Sequence, residues 1–137
     1  MIADLRRWVE ALTGAVITSA STIGNGSSRR TWGVDLADDR QLVVREDTGT
    51  GPMAGTPLNL AREAAVYHAL AGTNLPVPTL LGVSPDATAM LLSRSPGIAD
   101  LSLADDRRAV ARDYLCCLGR LHLLDVTSLE LGPLQHR

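Results

Sequence analysis

The chain contains no lysine: all thirteen of its basic residues are arginine. That absence excludes a Schiff-base lysine and a phosphate-binding loop ending in Gly-Lys-Ser/Thr, so any phosphate contact must come from arginine or from backbone amides. Cysteine is scarce, and its two copies, Cys116 and Cys117, are adjacent. They lack the spacing of a zinc or redox pair and cannot readily bridge each other, which fits a reducing, cytoplasmic setting. No window approaches ~20 consecutive apolar residues, and no basic segment leads into an apolar run and a small-residue cleavage site. Neither membrane insertion nor secretion is expected. A clustered basic surface is missing too: the formal net charge is −2 and the arginines are scattered, which argues against bulk nucleic-acid binding.

What is present is ordinary for a globular domain, with 45% apolar and 20% charged residues in 137, enough for one domain or one and a fragment. Ile2, Leu5, Trp8, Val9 and Leu12 recur at helical spacing, and Gly14 stands where a left-handed C-cap would end that helix. Residues 15–23 are β-branched or small and run into the turn Gly24-Asn25-Gly26-Ser27-Ser28. Residues 30–36 and 41–45, joined by the Asp38-Asp39 turn, complete a three-strand antiparallel meander. Residues 47–57, rich in glycine and proline, read as a mobile loop. Thr56-Pro57 then predicts a helix start, with a helix over 58–70. A hairpin over 79–83 and 87–92 brings the sheet to five strands. Ser95-Pro96-Gly97 marks a boundary, giving an N-terminal lobe over 1–94, a linker over 95–101 and a helical segment over 102–137. Ser102 with Asp105 resembles a capping box for that last helix. Its stripe of Val110, Ala111, Tyr114, Leu115, Leu118, Leu121 and His122 needs a partner surface.

Three features could carry chemistry. Gly24 and Gly26 can adopt positive φ and admit a ligand to the backbone, while the turn amides and the Ser27 and Ser28 hydroxyls could donate to phosphate oxygens. The same residues are also what any hairpin needs. Arg45 ends an apolar strand, and its permanent charge must find an anion or reach solvent. Glu63, on the next helix, is the candidate partner, the alternative being two solvated side chains. His122 and Asp125 are a tempting pair, but a core or helix-end histidine is the commoner case; His68 reads the same way.

The order of these parts resembles the small lobe of kinase-like phosphotransferases, and in detail the aminoglycoside phosphotransferase (phosphotransferase enzyme) family, especially bacterial members with arginine in place of the strand lysine. Asn25-Gly26-Ser27-Ser28-Arg29-Arg30-Thr31-Trp32 is similar to that family's glycine turn, and Leu42-Val43-Val44-Arg45 to its phosphate-contacting strand. Residues 60–70 resemble its Arg-Glu helix. Val77-Pro78, residues 90–97 and Leu118-Gly119-Arg120-Leu121-His122 match its Val-Pro segment, hinge and first large-lobe helix.

The resemblance implies an α+β kinase-like small lobe with a five-stranded antiparallel sheet, followed by the helical start of a large lobe. It implies ATP as cofactor, its phosphates covered by Gly24, Asn25, Gly26, Ser27 and Ser28 and contacted by Arg45, with Glu63 holding Arg45. Ser93 and Ser95 would offer hinge backbone to adenine, between apolar walls at Val43 and Leu92. Asn25 and Arg29 depart from the family's glycine and asparagine in the turn, and Ser93 stands where an acidic residue is common. The catalytic His-Gly-Asp loop and the later metal-binding Asp have no counterpart here, so no residue of this chain is assigned to catalysis or metal. Mg²⁺ and a small-molecule hydroxyl acceptor are expected only with a complete large lobe. A non-catalytic nucleotide-binding or protein-interaction module is the alternative, with the last helix's apolar face as the surface for self-association.

Overall fold

A computed structural model describes residues 1–97, 100–129 and 131. In chain order it contains helix α1 (Ala3–Thr13), strands β1 (Ile17–Asn25), β2 (Arg29–Leu36) and β3 (Gln41–Asp47), helix α2 (Leu60–Leu70), strands β4 (Leu80–Val83) and β5 (Ala89–Ser93), and helix α3 (Arg107–His122). The strands form one antiparallel sheet of order β1-β2-β3-β5-β4. The expected five-stranded α+β lobe is therefore the observed one, with β3 central.

Strand alternation divides the core into two layers. Leu42, Val44, Ala89, Leu91, Val34 and Leu36 face α1, which supplies Leu5 and Val9. Met90 and Leu92 face α2, which supplies Leu60 and Ala64. Because successive side chains on a strand point to opposite faces, Val43 and Arg45 belong with Met90 and Leu92 on the α2 side. Fully burying a side chain such as Leu60 or Leu91 contributes about 1.5–3 kcal/mol, so each helix is held chiefly by its apolar face. Gly14 ends α1 in the left-handed conformation, as expected, with φ of 69°.

Three expectations about element boundaries are corrected. Helix α2 begins at Leu60 rather than Leu58, because the Asn59 side chain accepts from the Arg62 N–H and caps the helix, whereas Thr56 turns its hydroxyl to the Leu58 N–H in a local turn. Strand β5 begins at Ala89 because Ala87 takes a positive φ of 56° in the hairpin turn. Ser102 does not cap α3: its N–H is bonded to Asp100 within a short 3-10 turn. Asp106 is the cap, accepting from the Ala109 N–H. Asp106 wins because its carboxylate sits one residue before the helix, where it satisfies an otherwise orphaned amide. Of the 95–101 linker, Ile98 and Ala99 lie outside the described residues, as do Glu130 and residues 132–137 of the 102–137 segment.

Candidate functional site

Arg45 lies on the central strand, in register with Thr31 of β2 and Met90 of β5. Glu63 lies in the first turn of α2, placed over β3 by the fully buried Leu60 and the Asn59 cap. The two meet: Arg45 Nη1 and Glu63 Oε1 form an ion pair, with side chains 30% and 27% exposed. The pairing that the strand and helix positions left open is thus made. Arg45 Nε is buried and finds no acceptor among the described residues. Leaving a buried donor unpaired costs about 1–3 kcal/mol, and such atoms are uncommon in folded proteins.

The turn beside Arg45 is built differently from the expectation. Neither Gly24 nor Gly26 takes a positive φ; among the described glycines those that do are Gly14, Gly49, Gly51, Gly55 and Gly97. The bend is made instead by a β-bulge between Thr22 and Gly24 and by a bond from the Gly26 N–H to the Arg29 carbonyl, and Asn25 remains in register with Arg30. The left-handed glycines are concentrated in the following segment, 48–58. That segment, expected to be a mobile loop, is strapped onto the turn by hydrogen bonds.

The Thr48 N–H donates to the Ser28 carbonyl and the Thr48 hydroxyl to the Ser27 carbonyl. Arg29 completes the strap, with Nη1 2.9 Å from Asp47 Oδ2 and Nη2 donating to the Leu58 carbonyl at 2.8 Å. Ser28 is buried beneath it, its hydroxyl oxygen accepting from the Met53 N–H. Gly24, Gly26 and Ser27 stay exposed.

On the α2 face, Gly33, Val43 and Leu92 stand in register across β2, β3 and β5. Ile23, the bulged residue of β1, leans over the glycine, its Cγ2 3.1 Å from where a Cβ on Gly33 would stand. Ile23, Gly33 and Val43 thus bring apolar atoms together on this face, with Leu92 buried beside Val43. Arg94 borders them, with Nη1 4.0 Å from Asp35 Oδ1. Of the two hinge serines, Ser93 has its N–H bonded to the Thr79 carbonyl and its hydroxyl to the Thr79 N–H, and Ser95 is exposed beyond the strand end.

The sequence model of the phosphotransferase enzyme family matches residues 19–137. The chain belongs to that family. It is 29% identical over 141 residues to acyl-CoA dehydrogenase family member 10 of Mus musculus, a match spanning 93% of this chain and 13% of the mouse protein. Among solved structures, a candidate fructosamine-3-kinase from Thermobifida fusca superposes with a TM-score of 0.57 at 20% identity, over 73% of this chain and 34% of that one. An aminoglycoside phosphotransferase APH(4)-Ia in ternary complex with ADP and hygromycin B gives a TM-score of 0.49 at 17% identity, over 74% and 32%. This phosphotransferase-family chain thus spans about a third or less of each of these relatives.

Several wall residues escaped the sequence reading. Arg29, Asn59 and Arg62 line one cavity with Arg45 and Glu63, and Ile23 and Gly33 complete the apolar patch. Asn59 carried a usable signal, an N-cap residue just ahead of an apolar helical run; the bulge that turns Ile23 inward carried none. His122 is exposed at the end of α3, and Asp125 is engaged in capping the Thr127 N–H, so the two do not form a catalytic pair. Among the described residues, no group of three or more Asp, Glu, His or Cys side chains converges to hold a metal ion.

Proposed function

We propose that this chain is the ATP-binding lobe of a small-molecule phosphotransferase, one that in complete form moves the γ-phosphate of ATP to a substrate hydroxyl. The observation that carries the reading is the Arg45 guanidinium, oriented by Glu63 and holding a buried, unpaired Nε on the central strand. In this reading Arg45 neutralises phosphate charge, and the turn Gly24, Asn25, Gly26 and Ser27 covers the phosphates with its backbone. Ser28 supports that turn from beneath. Adenine lies on Val43 and Leu92, with Ile23 above and the backbone near Ser93 and Ser95 at its edge. Catalysis in such enzymes is positioning and charge stabilisation, and this chain supplies only the nucleotide half of it. The sequence holds no His-Gly-Asp segment to orient an acceptor hydroxyl, so the chain alone is expected to bind nucleotide without transferring phosphate.

Titration with a non-hydrolysable ATP analogue tests the reading. Saturable binding that Arg45→Ala weakens about tenfold or more, with no phosphate release or transfer from ATP, is the expected result. Unchanged affinity in Arg45→Ala, or phosphoryl transfer by the isolated chain, would sink it. A second reading, a protein-interaction module, is favoured by one observation: Val110, Tyr114 and Leu115 of α3 are 47%, 66% and 63% exposed. Absence of nucleotide binding together with concentration-dependent self-association would select that reading instead.

A further inference from the structure

Between α2, the 48–58 strap and the start of β2 lies a cavity of about 290 Å³ whose charged lining is Arg29, Arg45, Arg62 and Glu63. Three guanidiniums face one carboxylate there, although the chain as a whole carries a formal charge of −2. Like charges gathered in one partly desolvated cavity repel, and the arrangement is favourable only if anions intervene. Two of the three have such partners, Arg45 in Glu63 and Arg29 in Asp47. Arg29 is also pinned to the Ser28 and Leu58 carbonyls, and its side chain is 13% exposed, so its charge is fixed in place. Arg62 is different. Its backbone N–H is held by Asn59, but among the described residues its guanidinium makes no ion pair or hydrogen bond.

We propose that Arg62 is a second phosphate-binding arginine, which with the fixed charge of Arg29 extends the Arg45 site to the outermost phosphate of a nucleoside triphosphate. The inference rests on the reading of Arg45 as a phosphate contact. The chemistry suits the residues: a guanidinium presents a planar fork that meets two phosphate oxygens at once. In a chain without lysine no other side chain carries a permanent positive charge. Arg62 adjoins Glu63 on α2, so the helix that orients Arg45 also carries the added contact, and the Asn59 cap sets where that helix begins.

The test is calorimetric titration of the 137-residue chain and of Arg62→Ala, Arg62→Lys and Arg45→Ala with orthophosphate, pyrophosphate, tripolyphosphate, AMP and a non-hydrolysable ATP analogue. Arg62→Ala is expected to weaken tripolyphosphate and the ATP analogue about tenfold and leave AMP unchanged, with Arg62→Lys between the two. An unchanged triphosphate-to-monophosphate affinity ratio in Arg62→Ala, alongside weakened binding in Arg45→Ala, overturns this inference and leaves the nucleotide reading standing. Unchanged binding in Arg45→Ala overturns the reading itself, and failure of the parent chain to bind any polyphosphate overturns both. Arg62 is half-buried, and if Arg62→Ala does not fold, Arg62→Gln carries the same measurement.

Discussion

Gly51 is the residue on which the strap over the glycine turn depends. Its φ is +78°, and a Cβ there would stand 2.6 Å from the Ser28 hydroxyl oxygen and 2.8 Å from the Ser27 carbonyl. The obstacle is partly backbone and cannot rotate away. Gly49 has a similar φ of +69° but nothing within 4 Å. Gly49→Ala should therefore cost only the left-handed penalty, about 1 kcal/mol, and Gly51→Ala about 2–3 kcal/mol or more. Gly51→Ala should also speed hydrogen exchange at the Met53 amide that bonds to Ser28. Equal losses of stability for the two variants would show that the strap does not pack as described. At this scale the sequence exposed the glycines but not their division of labour. A hairpin can bend through a bulge as well as through left-handed glycine, and which glycine meets another backbone is set by segments ~25 residues apart in the chain.

Helix α1 is attached to the sheet by polar bonds as well as by Leu5 and Val9. Glu10 Oε1 accepts from the Ile17 N–H at 2.9 Å and from Arg6 Nε at 3.1 Å. The Ile17 amide, with a smaller contribution from Arg6, holds the Glu10 carboxyl below the usual glutamate range. A depressed folded-state pKa adds stability above the unfolded value, near about 4.3, and that contribution is lost as pH falls through the folded value. Glu10→Gln should thus lower the melting temperature at neutral pH, and the gap to the parent should close as the medium is acidified below about pH 4. A gap that stays constant with pH would mean that the charge plays no part in docking α1.

Elements of this kind were legible from periodicity, as the α1 stripe and all five strands show. Helix starts were less legible: α2 begins two residues after the start that Thr56-Pro57 suggests, at the Asn59 cap. Around α3, Ser102, Asp105 and Asp106 all offered oxygens at plausible spacing, and the backbone geometry, not the residue type, chose Asp106.

At the scale of the whole molecule the sheet and the last helix are unequal. Strands β3 and β5 carry Val44, Met90 and Leu91 with no exposed surface, whereas α3 has no buried residue. Tyr114, Leu118 and Leu121 instead face residues 70–77 across a cavity of about 270 Å³. Local stability follows buried apolar contact. In native-state hydrogen exchange the amides of α3 should exchange orders of magnitude faster than those of β3 and β5. Equal protection would mean that α3 is packed against a surface, for instance a second copy of the chain. No helix among the described residues is long and apolar enough to cross a membrane.

The sequence by itself determined the class of this protein. Alternating and helical periods name the elements, because each depends on neighbours a few residues apart, and the order of glycine turn, strand arginine, helix glutamate, hairpin and Pro-Gly hinge resembles the phosphotransferase enzyme family, to which the chain belongs. Tertiary structure alone decided the rest. It joined Arg45 to Glu63, laid 48–58 over the turn, and brought Arg29 and Arg62 to one cavity. Those arrangements join segments roughly 20–35 residues apart, where side-chain packing and the satisfaction of buried donors choose among contacts that local sequence leaves equally open.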